Sequence, residues 1–135
     1  MRFLAIDPGE KRIGLAVGDD TTCIASPVGM VEGGDIDVLV SAIQEHEPDE
    51  LVVGLPLNMD GTDSPGATAA RALADQLTVK LDIKVHLVDE RLTSFQADEQ
   101  MKQSGLTHKG KKERRDTLAA AAILRDFLES SPGTP

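Results

Sequence analysis

Phe3-Leu4-Ala5-Ile6-Asp7-Pro8-Gly9 and, three residues later, Ile13-Gly14-Leu15-Ala16-Val17 decide the fold. Each is a short apolar run of strand length, and Asp-Pro-Gly between them is turn chemistry, so the pair reads as a hairpin. The first run ends in a carboxylate. A carboxylate directed into apolar surroundings is costly unless it is paired or bound to a cation. For Asp7 taken alone, a turn-forming Asp before Pro-Gly is the simpler reading.

Outward from the hairpin, Ile24 to Val31 reads as a third strand, and Pro27 suits it to an edge. Gly33-Gly34 marks a break. Asp35 is the expected N-cap of a helix over Ile36 to Glu47, with Val38, Leu39, Ala42 and Ile43 on one face and Pro48 as the stop. Leu51-Val52-Val53 is a strand running into Gly54-Leu55-Pro56. The polar stretch from Asn58 to Gly66 is long enough for a working loop before a helix over Ala67 to Leu81. Ile83 to Val88 is another strand, ending in Asp89-Glu90-Arg91. Thr93 or Ser94 caps a helix to about Gln103, closed by Gly105, and a last helix runs from Asp116 to Leu128.

Three strands, then alternating helices and strands, predict a mixed α/β sheet in which right-handed crossovers make the first, fourth and fifth strands parallel. One domain over residues 1–129 is expected, with a frayed tail over 130–135. No apolar run approaches the roughly 18 residues of a membrane span, and the N-terminal run meets an acidic residue too early for an export signal. A cytoplasmic location follows as the expectation. Cys23 is the single cysteine and reads as a packed small residue, while His46, His86 and His108 are too scattered for a zinc pattern.

In an open α/β sheet the working crevice lies beyond the carboxyl ends of parallel strands, here Asp7, the Gly54 to Asn58 turn, and Asp89-Glu90. Successive strand residues point to opposite faces, so one of Asp89 and Glu90 should enter the crevice. Spacing does not decide between them; Glu90 is favoured, with Asp89 in a structural bond or an ion pair with Arg91. Asp116 is followed at three, four, seven and eleven residues by Ala119, Ala120, Ile123 and Phe127, which puts it on the apolar face of its helix. A carboxylate serving only the helix dipole would need no core-facing direction.

Carboxylates without His or Cys ligands make a hard, all-oxygen site for Mg2+ or Mn2+, the ions of metal-assisted phosphodiester cleavage. Net charge is −9, against the usual basic footprint of a nucleic-acid binder. Yet Lys109 to Arg115 holds five of the 14 basic residues, among them Lys111, Lys112 and Arg115, and Lys11-Arg12 forms a second small cluster. One basic face can coexist with acidity elsewhere, although a solvated charge run is the commoner meaning of such clusters.

The blocks Asp7-Pro8-Gly9-Glu10-Lys11-Arg12-Ile13-Gly14, Gly54-Leu55-Pro56-Leu57-Asn58, Asp89-Glu90-Arg91-Leu92-Thr93-Ser94 and Asp116-Thr117-Leu118-Ala119-Ala120 resemble, in the same order, those of the YqgF, or RuvX-like, family. The resemblance implies a ribonuclease H-like fold, with sheet order 3-2-1-4-5 and an antiparallel second strand. It implies a bacterial cytoplasmic nuclease maturing the 5′ end of pre-16S ribosomal RNA. Carried over by position, Asp7, Glu90 and Asp116 form the metal site, with Lys11, Arg12, Asn58 and Arg91 near substrate. Gly18 stands where a small polar residue is expected in relatives.

Two alternatives are kept: a resolvase of branched DNA using the same carboxylates, and a noncatalytic factor that binds pre-ribosomal RNA. A resolvase would need a symmetric dimer, and either monomer or homodimer is compatible with the sequence. Three aromatics, Phe3, Phe95 and Phe127, offer little base stacking, so recognition of shape and backbone is expected. A nucleotide phosphotransferase of the actin-like group also begins with such a strand, but 135 residues leave no room for its duplicated domain.

Overall fold

Alternation along the first strand sets the architecture. In the computed structural model, which describes residues 1–9, 11–90 and 108–129 and, within the last stretch, side chains from 118 onward, β1 (Arg2–Pro8) is the centre of the sheet. Leu4 and Ile6 point to one face and Phe3 and Ala5 to the other, all buried. A strand apolar on both sides must be covered on both sides.

The sheet has five strands in the order β3-β2-β1-β4-β5. β2 (Arg12–Asp19) and β3 (Ile24–Glu32) extend it antiparallel on one side, while β4 (Glu50–Leu55) and β5 (Lys84–Asp89) run parallel to β1 on the other. Order and strand directions match the expectation. β3 is an edge strand, with Pro27 opposite Ala16 beside a register shift between Leu15 and Ala16. The missing N–H of proline costs nothing where no further strand pairs.

Helices α1 (Ile36–His46) and α2 (Pro65–Leu81) cover the Leu4 and Ile6 face, burying Leu39, Ile43, Ala67, Ala70, Ala74 and Leu77. The Asp35 carboxylate caps α1 by accepting from the N–H groups of Asp37 and Val38. α2 starts at Pro65, two residues before the expected Ala67, because the Ser64 hydroxyl accepts from the Ala67 N–H and proline suits a first helical turn.

The opposite face is covered by α3 (His108–Glu129), through Ala120, Ile123, Leu124 and Leu128 against Phe3, Ala5, Ala16 and Val52. Ile123 and Leu124 are wholly buried, each worth about 2–3 kcal/mol of apolar transfer. α3 begins eight residues before the expected Asp116. The basic segment is therefore helical rather than a connection, and Asp116 lies in the helix interior. The helix expected from Thr93 or Ser94 to Gln103 lies outside the described residues.

Candidate active site at the carboxyl edge

β1 continues past Ile6, so Asp7 is a strand residue opposite Gly14 of β2 rather than the start of a turn. Pairing through Pro8 and Ile13 extends the hairpin to a tight end, where the Gly9 N–H donates to the Arg12 carbonyl at 3.0 Å. A β-carbon on Gly9 would lie 2.5 Å from that oxygen, which is why the turn takes glycine. Alternation from Phe3 and Ala5 sends the Asp7 side chain to the face covered by α3.

The same alternation along β5 separates Asp89 from Glu90. His86 meets the rings of Phe3 and Phe127, and Val88 packs in the same cluster, so that face is the one under α3. Two residues on from Val88, Glu90 follows it. Its carboxyl hydrogen-bonds that of Asp7. Glu90 is 8% exposed and is the one buried polar or charged side chain among the described residues.

Burial is the main reason the Glu90 carboxyl is pushed up to about 10, reinforced by its hydrogen bond to Asp7 and by the charges of Asp7 and Asp89. Without a cation, Glu90 carries its proton at neutral pH and donates it toward Asp7. A neighbouring cation reverses the balance, since it favours both ionised oxygens at once. The donor set is oxygen only, which fits a hard divalent ion.

Between the two strands that lead to these carboxyls runs β4, which carries Gly54. Val53 pairs with Ile6 and Gly54 with Val88, so Gly54 sits next to the level of Asp7. A β-carbon there would come 2.6 Å from Glu90 Oε1 and 2.7 Å from Ile123 Cδ1. In the sequence Gly54 reads as the start of a turn rather than as a candidate site residue. An isolated glycine inside an apolar strand is the signal that marks such a close approach.

α3 runs antiparallel to β1. Phe127 meets Phe3 near the start of β1 in a tilted ring contact, with centroids 5.3 Å apart, and Ile123 reaches Gly54 at the other end. Going back along α3 therefore leads toward the carboxyl edge. Residue 116 lies two turns before Ile123 on the stripe of Ala119, Ala120 and Ile123, and the backbone of Lys111, Lys112 and Arg115 lies farther back. The side chain of Asp116 is outside the described set, and among the described residues no three His, Cys, Asp or Glu side chains gather.

Other candidates are placed differently. Lys11 is exposed in the hairpin end, its carbonyl accepting from Gly33 N–H at 2.8 Å, and Arg12 is half-buried in β2. Asn58 is engaged in its own loop: its amide donates to Thr62 Oγ1 at 3.0 Å and to the Asp63 carbonyl at 3.4 Å. That loop is braced further by a two-bond pair between Arg71 and Asp63 and by Ser64 donating to the Pro56 carbonyl. Arg91 lies outside the described residues. Cys23 occupies a left-handed turn before β3 with its Sγ against the Asp20 and Leu128 carbonyls, a packed position. His86 is held 2.6 Å from Glu50, and neither joins the site.

Comparison with known proteins agrees with this architecture. The chain is 39% identical over 133 residues to a protein of Anaeromyxobacter sp. (strain K) provisionally named pre-16S rRNA nuclease, covering 96% of this chain and 97% of that one. A Roseiflexus sp. (strain RS-1) protein of the same provisional name is 37% identical over 133 residues, covering 96% and 94%. In fold it is similar to T. thermophilus RuvC solved with a Holliday junction substrate, at TM-score 0.59 and 14% identity over 97% of this chain and 96% of that one. It is likewise similar to the Fowlpox virus resolvase solved with Holliday junction DNA, at TM-score 0.60 and 14% identity over 96% and 98%. The fold is the ribonuclease H-like one. The family model RuvX, described as Holliday junction resolvase, matches residues 1–130, and the chain belongs to that family.

Proposed function

We propose that the chain is a divalent-metal-dependent nuclease that hydrolyses a phosphodiester bond of pre-16S ribosomal RNA in the cytoplasm. One observation carries the reading: two carboxyls from distant parts of the sequence, Asp7 and Glu90, are in hydrogen-bond contact at the carboxyl ends of the parallel strands of the sheet, one of them buried. Burying such a pair is unfavourable for stability alone. The names of the relatives supply the reaction class and the RNA.

Asp7, Glu90 and Asp116 are the side chains we assign to hold Mg2+ or Mn2+. When bound, the cation supplies activation of the attacking water and stabilisation of charge on the leaving oxygen. The protein's own part is placement. Pairing with Gly14 fixes Asp7, burial fixes Glu90, and the helical stripe of α3 brings residue 116 toward the same edge.

Lys111, Lys112 and Arg115, with Lys11, Arg12 and Arg91, are assigned to substrate phosphates. A helix N-terminus disfavours cations and prefers anions, so lysines concentrated in the first turns of α3 act against the helix dipole unless phosphate lies beside them. With −9 overall, the remaining surface repels nucleic acid and confines productive encounter to this edge. Asn58 contributes by shaping the loop beside the site.

The test is cleavage of matched RNA and branched-DNA substrates with Mn2+, Mg2+ or chelator, by the protein and its Asp7→Asn variant. RNA cleavage that needs the metal and disappears in Asp7→Asn is expected. Equal activity in the variant overturns the site, and binding without cleavage under every condition points to an assembly factor. The family description favours a second reading, cleavage of a DNA junction. Preferential cutting of branched DNA by a dimer would replace the RNA assignment.

A further inference from the structure

We infer that Gly54 is a positioning residue for the metal site: the space left by its missing side chain is the seat of the Glu90 carboxylate and keeps it against Asp7. The inference rests on the metal-dependent reading above. Three distances carry it. A β-carbon at Gly54 would lie 2.6 Å from Glu90 Oε1, 2.9 Å from Glu90 Cδ and 2.7 Å from Ile123 Cδ1.

Backbone conformation gives no reason for the glycine. Among the described residues the positive-φ glycines are 29, 34 and 61, so Gly54 has a backbone any residue can adopt. What the position forbids is volume. The conflicting atoms are the far ends of two flexible side chains, so alanine leaves β4 intact and displaces the Glu90 carboxylate and the Ile123 methyl instead. The fold survives the exchange and the site does not.

Ile123 belongs to α3, so a purely architectural role, keeping α3 close to the sheet, must be separated from seating Glu90. Ile123→Val removes the Cδ1 atom and with it the helix conflict. In the Gly54→Ala/Ile123→Val protein the remaining conflict is with Glu90.

The experiment is calorimetric titration with Mn2+ alone, with circular dichroism melts on each protein. Ile123→Val should bind Mn2+ as the unsubstituted protein does. Gly54→Ala/Ile123→Val should melt cooperatively and lose about 10- to 100-fold in affinity, the range for residues that orient metal ligands. In a Glu90→Gln background the same double change should produce less than about a twofold further loss, because the group it displaces is by then a neutral amide, a far weaker ligand than the carboxylate.

Unchanged affinity in the double variant overturns the inference, as does an undiminished loss in the Glu90→Gln background. Failure of the unsubstituted protein to bind Mn2+ is a different result: it overturns the metal reading, and this inference with it.

Discussion

The carboxyl of Glu90 meets that of Asp7 across 83 residues of sequence, and the contact exists because β1 and β5 flank a strand that carries no side chain at the crossing point. Two acidic groups held this way make the free protein sensitive to pH in a defined direction.

Metal-free protein should lose stability as pH rises. The Glu90 pKa in the fold is about 10 against an ordinary 4.5, so the folded state binds the proton more tightly than the unfolded chain. Below 4.5 both states are protonated and there is no penalty. Between the two values stability falls by up to about 1.4 kcal/mol per pH unit. Thermal melts in chelator at pH 5, 7 and 9 should show a falling midpoint, flattened in Glu90→Gln. An unchanged slope in that variant would assign the pH dependence to other groups.

Neutralising the start of α3 should change the salt dependence of binding rather than the chemistry. Lys111→Gln/Lys112→Gln/Arg115→Gln removes three of the cations assigned to phosphate. Each lost contact reduces the slope of log affinity against log salt by about 0.7 to 0.9. Fluorescence anisotropy with labelled RNA between low and moderate salt measures it, and an unaltered slope would remove these residues from the interface.

Gly18→Ala should destabilise the protein without touching the site. The new β-carbon would fall 2.6 Å from the Ile24 carbonyl and 3.0 Å from Leu124 Cδ2. The first obstacle is backbone, so relief requires β3 to move, at about 1–3 kcal/mol. Urea unfolding should show a lower midpoint, and a midpoint equal to that of the unsubstituted protein would mean that β3 yields freely.

Ser64→Ala removes both the cap of α2 and a tie to Pro56 at the foot of the loop. A loss of about 1 kcal/mol is expected from the cap. Denaturant titration checks it, and no loss would mean that water replaces the hydroxyl on the Ala67 N–H.

Much of the layout was legible because it depends on period and punctuation. Two-sided burial of Phe3 to Ile6, Asp35 before an amphipathic run and Pro27 in an edge strand are local patterns with one physical solution each. The hairpin and the parallel strands followed from them, whereas spacing left open which of Asp89 and Glu90 turns toward Asp7, a choice that the alternation of β5 makes. The boundaries that moved were set by partners elsewhere in the structure. Asp7 remained in β1 because β2 supplies Gly14 opposite it, and α3 extended back through the lysines although cations are poor residues for a helix start. The engagement of the Asn58 amide by Thr62 and Asp63 is set by a loop geometry that no local pattern announces. The role of Gly54 is invisible to local patterns, since it lies in Glu90 and Ile123, 36 and 69 positions away.

α3 is the one described helix over the face bearing Phe3, Ala5, Ala16 and Val52. Among the described elements nothing else covers those residues, so they gain this cover only once α3 has left the ribosomal tunnel. Under the site assignment proposed above, the cutting edge therefore matures last.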